Sequence, residues 1–269
     1  MSEAFSHYAA DRSHEGDPEP GSHAGSAGGS ACGDLVRIAL RIAPGSGRVE
    51  AVRAAAEGCA SARAAAAATA ELVDGASLTD AALLGPAAIE TELDGLSPLG
   101  RHGAELAADA LRRALGAAVL DGTDALLPAP RDSEPQRVLV AMSGGVDSAV
   151  AAHLESRGGS EVLAVTLELW SDPENDGEAS CCSPQAVRLA RGVAHSMGIP
   201  HLTVDLRERF RAGVVEPFLA GYADGVTPNP CVGCNGRVRL EPMIRIAERL
   251  GAAGLATGHY ARVVNDGEG

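Results

Sequence analysis

The stretch RVLVAMSGGVDSAVAAHLESRG, residues 137–158, constrains this chain more than any other. A short apolar run reads as a buried strand, two adjacent glycines break it, and the pattern that follows reads as a helix. A strand running through glycines into a helix aims several backbone N–H groups at one point. The helix dipole adds positive potential there, so phosphate oxygens are favoured. Gly144 and Gly145 let a ligand approach the main chain, the hydroxyls of Ser143 and Ser148 can donate to it, and Asp147 can cap the helix or serve Mg2+. A plain tight turn with a Ser or Asp cap is the alternative. The loop lacks the G-x-x-x-x-G-K of a Walker motif, and all 22 basic residues of the chain are Arg, which argues against a γ-phosphate-transferring NTPase.

Strand–helix alternation continues from residue 137. EVLAVTLEL and HLTVDL read as further strands, SPQAVRLARGVAHSMG as a helix ended by Gly198, and two helical regions precede a last short strand in GLATGH. These lengths predict a parallel, doubly wound α/β sheet with ligands at the carboxyl ends of its strands. The earlier chain differs. DLVRIALRIA and GRVEAVRAAAEG, separated by a glycine turn, predict a β-hairpin. An Ala-rich helix opens at Cys59 and closes at Gly75, and two more helical stretches cover 78–92 and 103–119, giving a small α+β domain. The expected division is a mobile tail over 1–30, a first domain over 31–120, a linker over 121–136 and a second domain over 137–269.

The 269 residues suit two ordinary domains, and 45% hydrophobic residues with 3% aromatics predict cores of small aliphatic side chains. Neither a signal peptide nor an apolar run long enough to span a bilayer is present, which predicts a cytoplasmic protein without a membrane partner. Six Cys then suggest reactive or metal-binding thiols rather than disulfides. The formal charge of −14 disfavours bulk attraction to nucleic acid, yet residues 181–262 carry 10 Arg against 6 acids, so a polyanion would meet that stretch.

TPNPCVGCN, residues 227–235, places Cys231 and Cys234 at the start of a helix, where a thiolate is favoured. The C-x-x-C pair is also half of a metal or cluster site. SGGVDS resembles the loop of the ATP pyrophosphatase family, whose members grip the pyrophosphate of ATP and transfer AMP to an oxygen. With CCSPQA, TPNPCVGCN and ATGHYAR in the same order and spacing, the second half resembles the tRNA-uridine 2-sulfurtransferases, the tRNA thiouridylases. The resemblance implies an adenine nucleotide alpha hydrolase-like fold, ATP and Mg2+ as cofactors, and tRNA as substrate. It implies adenylation of the C2 oxygen of the wobble uridine and sulfur transfer from a cysteine persulfide, supplied by a cysteine desulfurase or a sulfur-relay protein. By the same resemblance Met142, Ser143, Gly144, Gly145, Val146, Asp147, Ser148 and Gly258 would bind ATP. Asn229, Pro230 and Cys231 would meet the target base, and Cys234 would be catalytic. His259 and Arg262 are candidates to face phosphate, with a structural role for His259 equally open. Many family members have Asp at the position of Cys231, which leaves a cluster-binding C-x-x-C variant open, with Cys181 and Cys182 as further candidates. The family continues with a central domain, a C-terminal barrel and a second cysteine, so the sulfur transfer is expected to be incomplete in this chain.

ACGD at 31–34, EGCASARAA at 57–65 and RHGAELAADAL at 101–111 resemble the NifU-like iron–sulfur scaffold family. That resemblance implies Cys32, Asp34 and Cys59 as ligands of an iron–sulfur cluster or Zn2+. The family's third cysteine falls at Gly103, and His102 stands beside it as a substitute ligand. His7, His14 and His23 read as solvated tail residues. The leading expectation is a scaffold-like module fused to the ATP-binding part of a tRNA thiouridylase. The alternatives are an iron–sulfur assembly scaffold with a truncated, inactive ATP-binding half, and a different ATP pyrophosphatase, against which TPNPCVGCN speaks.

Overall fold

A computed structural model describes residues 2–29, 33–170 and 184–262. The first half opens with helix α1 (Glu3–Ala10) and three strands, β1 (His23–Gly28), β2 (Leu35–Ile42) and β3 (Val49–Glu57), forming an antiparallel sheet in that order. Helices α2 (Ala60–Val73), α3 (Leu78–Leu83), α4 (Pro86–Glu92) and α5 (Arg101–Leu120) follow. The hairpin β2–β3 and the helix opened by Cys59 are as the sequence predicts, the Cys59 Sγ accepting the Ala62 N–H as N-cap.

The expected mobile tail is instead folded. Ser2 caps α1, Phe5 and Tyr8 are buried in the core, and β1 adds a full ladder to β2, from His23 opposite Leu40 to Gly28 opposite Leu35. HAGSAG has no apolar alternation, so its strand character comes from packing: a Cβ on Gly25 would lie 2.2 Å from the Ala110 carbonyl oxygen of α5. Small residues here are what let a strand and a helix touch backbone to backbone.

The second half is the expected parallel sheet, β4 (Arg137–Ala141), β5 (Glu161–Glu168), β6 (His201–Asp205) and β7 (Gly254–Thr257), ordered β6-β5-β4-β7. Helices α6 (Val146–Arg157) and α7 (Pro184–Ser196) cover one face over Val140, Met142, Val162 and Ala164. After β6 come α8 (Arg207–Phe210), a π-helical segment Arg211–Val215, and α9 (Glu216–Ala223). Then α10 (Pro230–Gly233), a second π segment Cys234–Leu240 and α11 (Glu241–Arg249) run on without a break in helical backbone. Because β5 and β6 lie on one side of β4 and β7 on the other, the strand order reverses at β4. Open α/β sheets bind ligands at the carboxyl ends beside such a reversal.

The two halves share one core. Leu139, Leu163, Leu202, Val204 and Ile246 of the second half join the cluster built from α2, α5 and the first sheet. Helix α5 lies directly on β6, and a Cβ on Gly116 would sit 1.8 Å from the Thr203 carbonyl oxygen. At its far end the buried Arg249 guanidinium donates to the carbonyls of Ala118 and Val119 at 2.8 and 2.7 Å and to Asp124 at 2.9 Å. These are last-turn carbonyls without helical partners, and a cation there also meets the negative end of the dipole. Residues 121–136, expected as a linker, have no regular structure but are bolted down. Leu126 and Leu127 are buried and donate to the Arg249 carbonyl, and Arg137 Nη1 donates to the carbonyls of Pro128 and Leu250. Gly116→Ala, normally favourable in a helix, should here destabilise the chain by about 1–3 kcal/mol through overpacking. Urea unfolding compared with the parent would show it.

Candidate functional site

The glycine loop and the edge of the second sheet enclose a cleft of about 510 Å³ at the carboxyl ends of β4, β5 and β7. Met142, Ser143, Gly145, Asp147, Ser148 and Gly258 line it, all expected from the sequence. The loop is held by its own hydroxyls: the Ser143 N–H donates to Ser148 Oγ at 3.1 Å, and Ser148 Oγ donates to the Gly145 carbonyl at 2.9 Å. Gly144 adopts φ +79°, and a Cβ there would lie 2.7 Å from the Ala186 carbonyl of α7, so it shapes the loop without lining the cleft. Val146 is 78% exposed and likewise outside the lining. Gly258 packs onto the first turn of α6, where a Cβ would meet the Ser148 nitrogen at 2.7 Å. Any larger residue would push β7 off the helix N-terminus whose N–H groups face the cleft.

Asp147 stands in that first turn and accepts the Tyr260 hydroxyl at 2.9 Å, which holds the Tyr260 phenol above its ordinary pKa. His259 lines the cleft, its Nδ1 2.9 Å from Thr257 Oγ1, whereas the exposed Arg262 does not line it. The other wall was not legible in the motif. Val165, Thr166, Leu167 and Leu169 of the β5 end line it, together with Asn235, Arg239, Leu240 and Met243. Thr166 Oγ1 donates to the Met142 carbonyl at 2.8 Å, so Nε2 of the fully buried His201, 2.8 Å from Thr166 Oγ1, donates to that hydroxyl oxygen. Burial keeps the His201 ring neutral.

The C-x-x-C segment stands beside the cleft. Asn229 caps α10 by accepting the Cys231 N–H at 3.2 Å, and Pro230 occupies the first helical turn. Cys231 is exposed and Cys234, one turn on, is buried at the head of the π segment. Neither thiol lines the cleft, nor do Asn229 and Pro230. Asn235, directly after Cys234, does. Cys181 and Cys182 lie outside the described residues.

In the first half, Asp34 and Cys59 come together. Asp34 Oδ1 accepts the Cys59 N–H at 2.7 Å and Oδ2 accepts its thiol at 3.2 Å, and the backbone donor chiefly holds the Asp34 carboxyl below its ordinary pKa. The same carboxyl feels the charge of His102, at the start of α5. Cys32 lies outside the described residues, and among the described ones no three His, Cys, Asp or Glu side chains are grouped as a metal would need. The missing third cysteine has a steric counterpart: a Cβ on Gly103 would lie 2.7 Å from the Ser61 carbonyl, where α5 crosses α2. No helix among the described residues is long and apolar enough to cross a membrane.

Comparison with known proteins matches the two halves of the chain to two different families. Residues 2–118 match the NifU-like N terminal domain, and residues 136–269 match the tRNA methyl transferase HUP domain. The "Bifunctional protein NifU/MnmA" of Rubrobacter xylanophilus is 49% identical over 250 residues, covering 91% of this chain and 50% of that protein. The "tRNA-specific 2-thiouridylase MnmA" of Sorangium cellulosum is 51% identical over 145 residues, covering 54% of this chain and 37% of that protein. A crystal structure of a putative iron-sulfur cluster assembly scaffold protein from Fervidobacterium islandicum aligns over 43% of this chain and 96% of its own. Its 20% identity and TM-score of 0.35 add no weight. This chain thus spans half or less of the length of these curated relatives. It belongs to two families in series, a NifU-like N-terminal domain joined to a tRNA methyl transferase HUP domain.

Proposed function

We propose that the second half activates a tRNA uridine with ATP for replacement of its C2 oxygen by sulfur, and that the first half handles an iron–sulfur or sulfur cargo beside it. The observation that carries this reading is the convergence of two motifs on one cleft. The glycine loop supplies N–H groups and hydroxyls at a helix N-terminus, and the helix that begins with C-x-x-C supplies Asn235 and Arg239 to the opposite wall. A pyrophosphate fits the first and a positive charge from Arg239 offsets it from the second.

The reaction in this reading has balanced steps. The uridine C2 oxygen attacks the α-phosphorus of ATP, and pyrophosphate leaves. The terminal sulfur of a cysteine persulfide then adds at C2, and AMP leaves with the former uridine oxygen. Cys234 attacks the remaining S–S bond, leaving C2=S on the base and a disulfide between Cys234 and the donor cysteine. The burial of Cys234 shields its thiol from bulk oxidants. In this reading Cys231, exposed on a turn capped by Asn229, would meet the base. Mg2+ would serve the phosphates through Asp147. The sulfur comes from a desulfurase or relay protein.

For the first half, Asp34 and Cys59 are preassembled donors, with Cys32 and His102 the further candidates. A carboxylate among thiolates suits a cargo that must leave again. Zn2+ suits the same donors.

Gly258→Val should weaken ATP binding at least tenfold while circular dichroism stays native, because the side chain occupies the loop's packing space. Cys234→Ser should keep ATP binding and tRNA-dependent pyrophosphate release yet form no thiolated uridine, even with persulfide supplied. A parent chain that neither binds ATP nor releases pyrophosphate with unmodified tRNA would sink this reading. Anaerobic loading with iron and sulfide should depend on Cys32 and Cys59. Gly103→Cys, which restores the family's third thiol in sequence, should instead lower stability by about 1–3 kcal/mol in thermal unfolding, since its Cβ meets the α2 backbone.

A further inference from the structure

The carboxyl end of β5 reaches the cleft with Val165, Thr166, Leu167 and Leu169, and Glu168 among them does not line it. Glu168 is instead buried, and its Oε1 accepts the Arg113 guanidinium of α5 at 2.8 Å, with the two side chains 10% and 30% exposed. Glu168 Oε2 is buried with no hydrogen-bond partner among the described residues. The other charged groups facing this carboxylate are Asp109 on α5, Asp205 on β6 and Arg207 on α8, and Arg207 is already committed to Asp205 through Nε at 2.9 Å. A buried carboxylate with one direct cation depends on it strongly, because removing that cation leaves an uncompensated charge.

We propose that Arg113 of the N-terminal module is a positioning residue for the cleft: through its ion pair with Glu168 it fixes the end of β5, so that nucleotide affinity is set across the boundary between the two halves. This rests on the nucleotide reading of the cleft. The first half is then not cargo-handling alone but part of the scaffold that shapes the second half's site. Burial pushes the Glu168 carboxyl above its ordinary pKa and Arg113 opposes that push. Without Arg113 the carboxylate is disfavoured further, so strand-end geometry should be worst where Glu168 must be charged, at high pH, and should recover as a proton neutralises it.

The test is ATP affinity by calorimetry on the full chain across pH 6 to 8.5, for the parent, Arg113→Gln, Arg113→Lys and the double variant Arg113→Gln/Glu168→Gln. Amide exchange over residues 165–169 is measured alongside, at matched pH and without nucleotide. Arg113→Gln should bind about tenfold more weakly at pH 8, within the usual range for coupled sites, and approach the parent at pH 6. The double variant should return to parental affinity with no added pH dependence, and exchange over 165–169 should be faster in Arg113→Gln alone. A folded Arg113→Gln with parental affinity and parental exchange at pH 8 overturns the proposal. So does a loss of affinity that ignores pH and persists in the double variant. If the parent binds no ATP, the nucleotide reading falls and exchange alone decides the clamp: faster supports it, unchanged overturns it. Should Arg113→Gln fail to fold, Arg113→Lys replaces it, with the same direction and a smaller shift.

Discussion

The contact between α5 and β6 is the constraint from which both halves take their positions. A helix can lie on a strand's backbone only where no side chain intervenes, and Gly116 provides that gap over Thr203. On its other side α5 meets β1 equally closely at Gly25. The helix is therefore wedged between two sheets, and its own apolar residues, Leu111, Leu115 and Val119 among them, are fully buried. Polar groups lock the register. Arg113 pairs with Glu168, Asp109 pairs with Arg191 of α7, His195 of α7 bonds the Ala82 carbonyl, and Arg249 satisfies the last turn. Each of these crosses between the halves, so the division visible in the motifs is not a division in the packing.

How much of this could be read from the chain follows from the range of the forces involved. The SGGVDS loop, the β2–β3 hairpin and the parallel sheet are specified locally, by glycines, turn residues and apolar periodicity, and the structure contains them. Strand β1 is specified by what it packs against, and HAGSAG carries no pattern that a scan for alternation could detect. Residues 121–136 show the same limit. Proline, aspartate and serine do prevent regular structure over 121–136, but Leu126 and Leu127 are held by partners more than 100 residues away. In the cleft, the motif named the loop but not the β5 end or Arg239, because those residues line it through topology and not through spacing along the chain.

The helical rod from Pro230 to Arg249 illustrates how local backbone irregularity serves a site. Its middle turns are π-helical, wider than an α-helix, and π segments of this kind concentrate at functional positions. Residues 235, 239, 240 and 243, within nine residues of one another, all line the cleft. Cys234 takes the buried position beside them. A regular helix would be specified by its apolar period, whereas a wide turn has no sequence signature, so the side of the rod that meets the cleft emerges only in the folded chain.

Helix α5 also fixes how the two halves face each other. From its last turn at Arg249, through Gly116 on Thr203, to Arg113 at the carboxyl end of β5, it runs against the direction of the parallel strands. Its first turn, with His102, therefore emerges about 16 Å beyond Arg113 along the axis, on the side where the cleft opens. Asp34 and Cys59 belong to that same end through the charge of His102 on Asp34. Among the described residues, the shared core and the hydrogen-bonded segment 121–136 tie the two halves together. The same rigidity allows a single ion pair on α5 to act on a strand end of the other half, because a strand end held by a packed helix cannot relax independently of it.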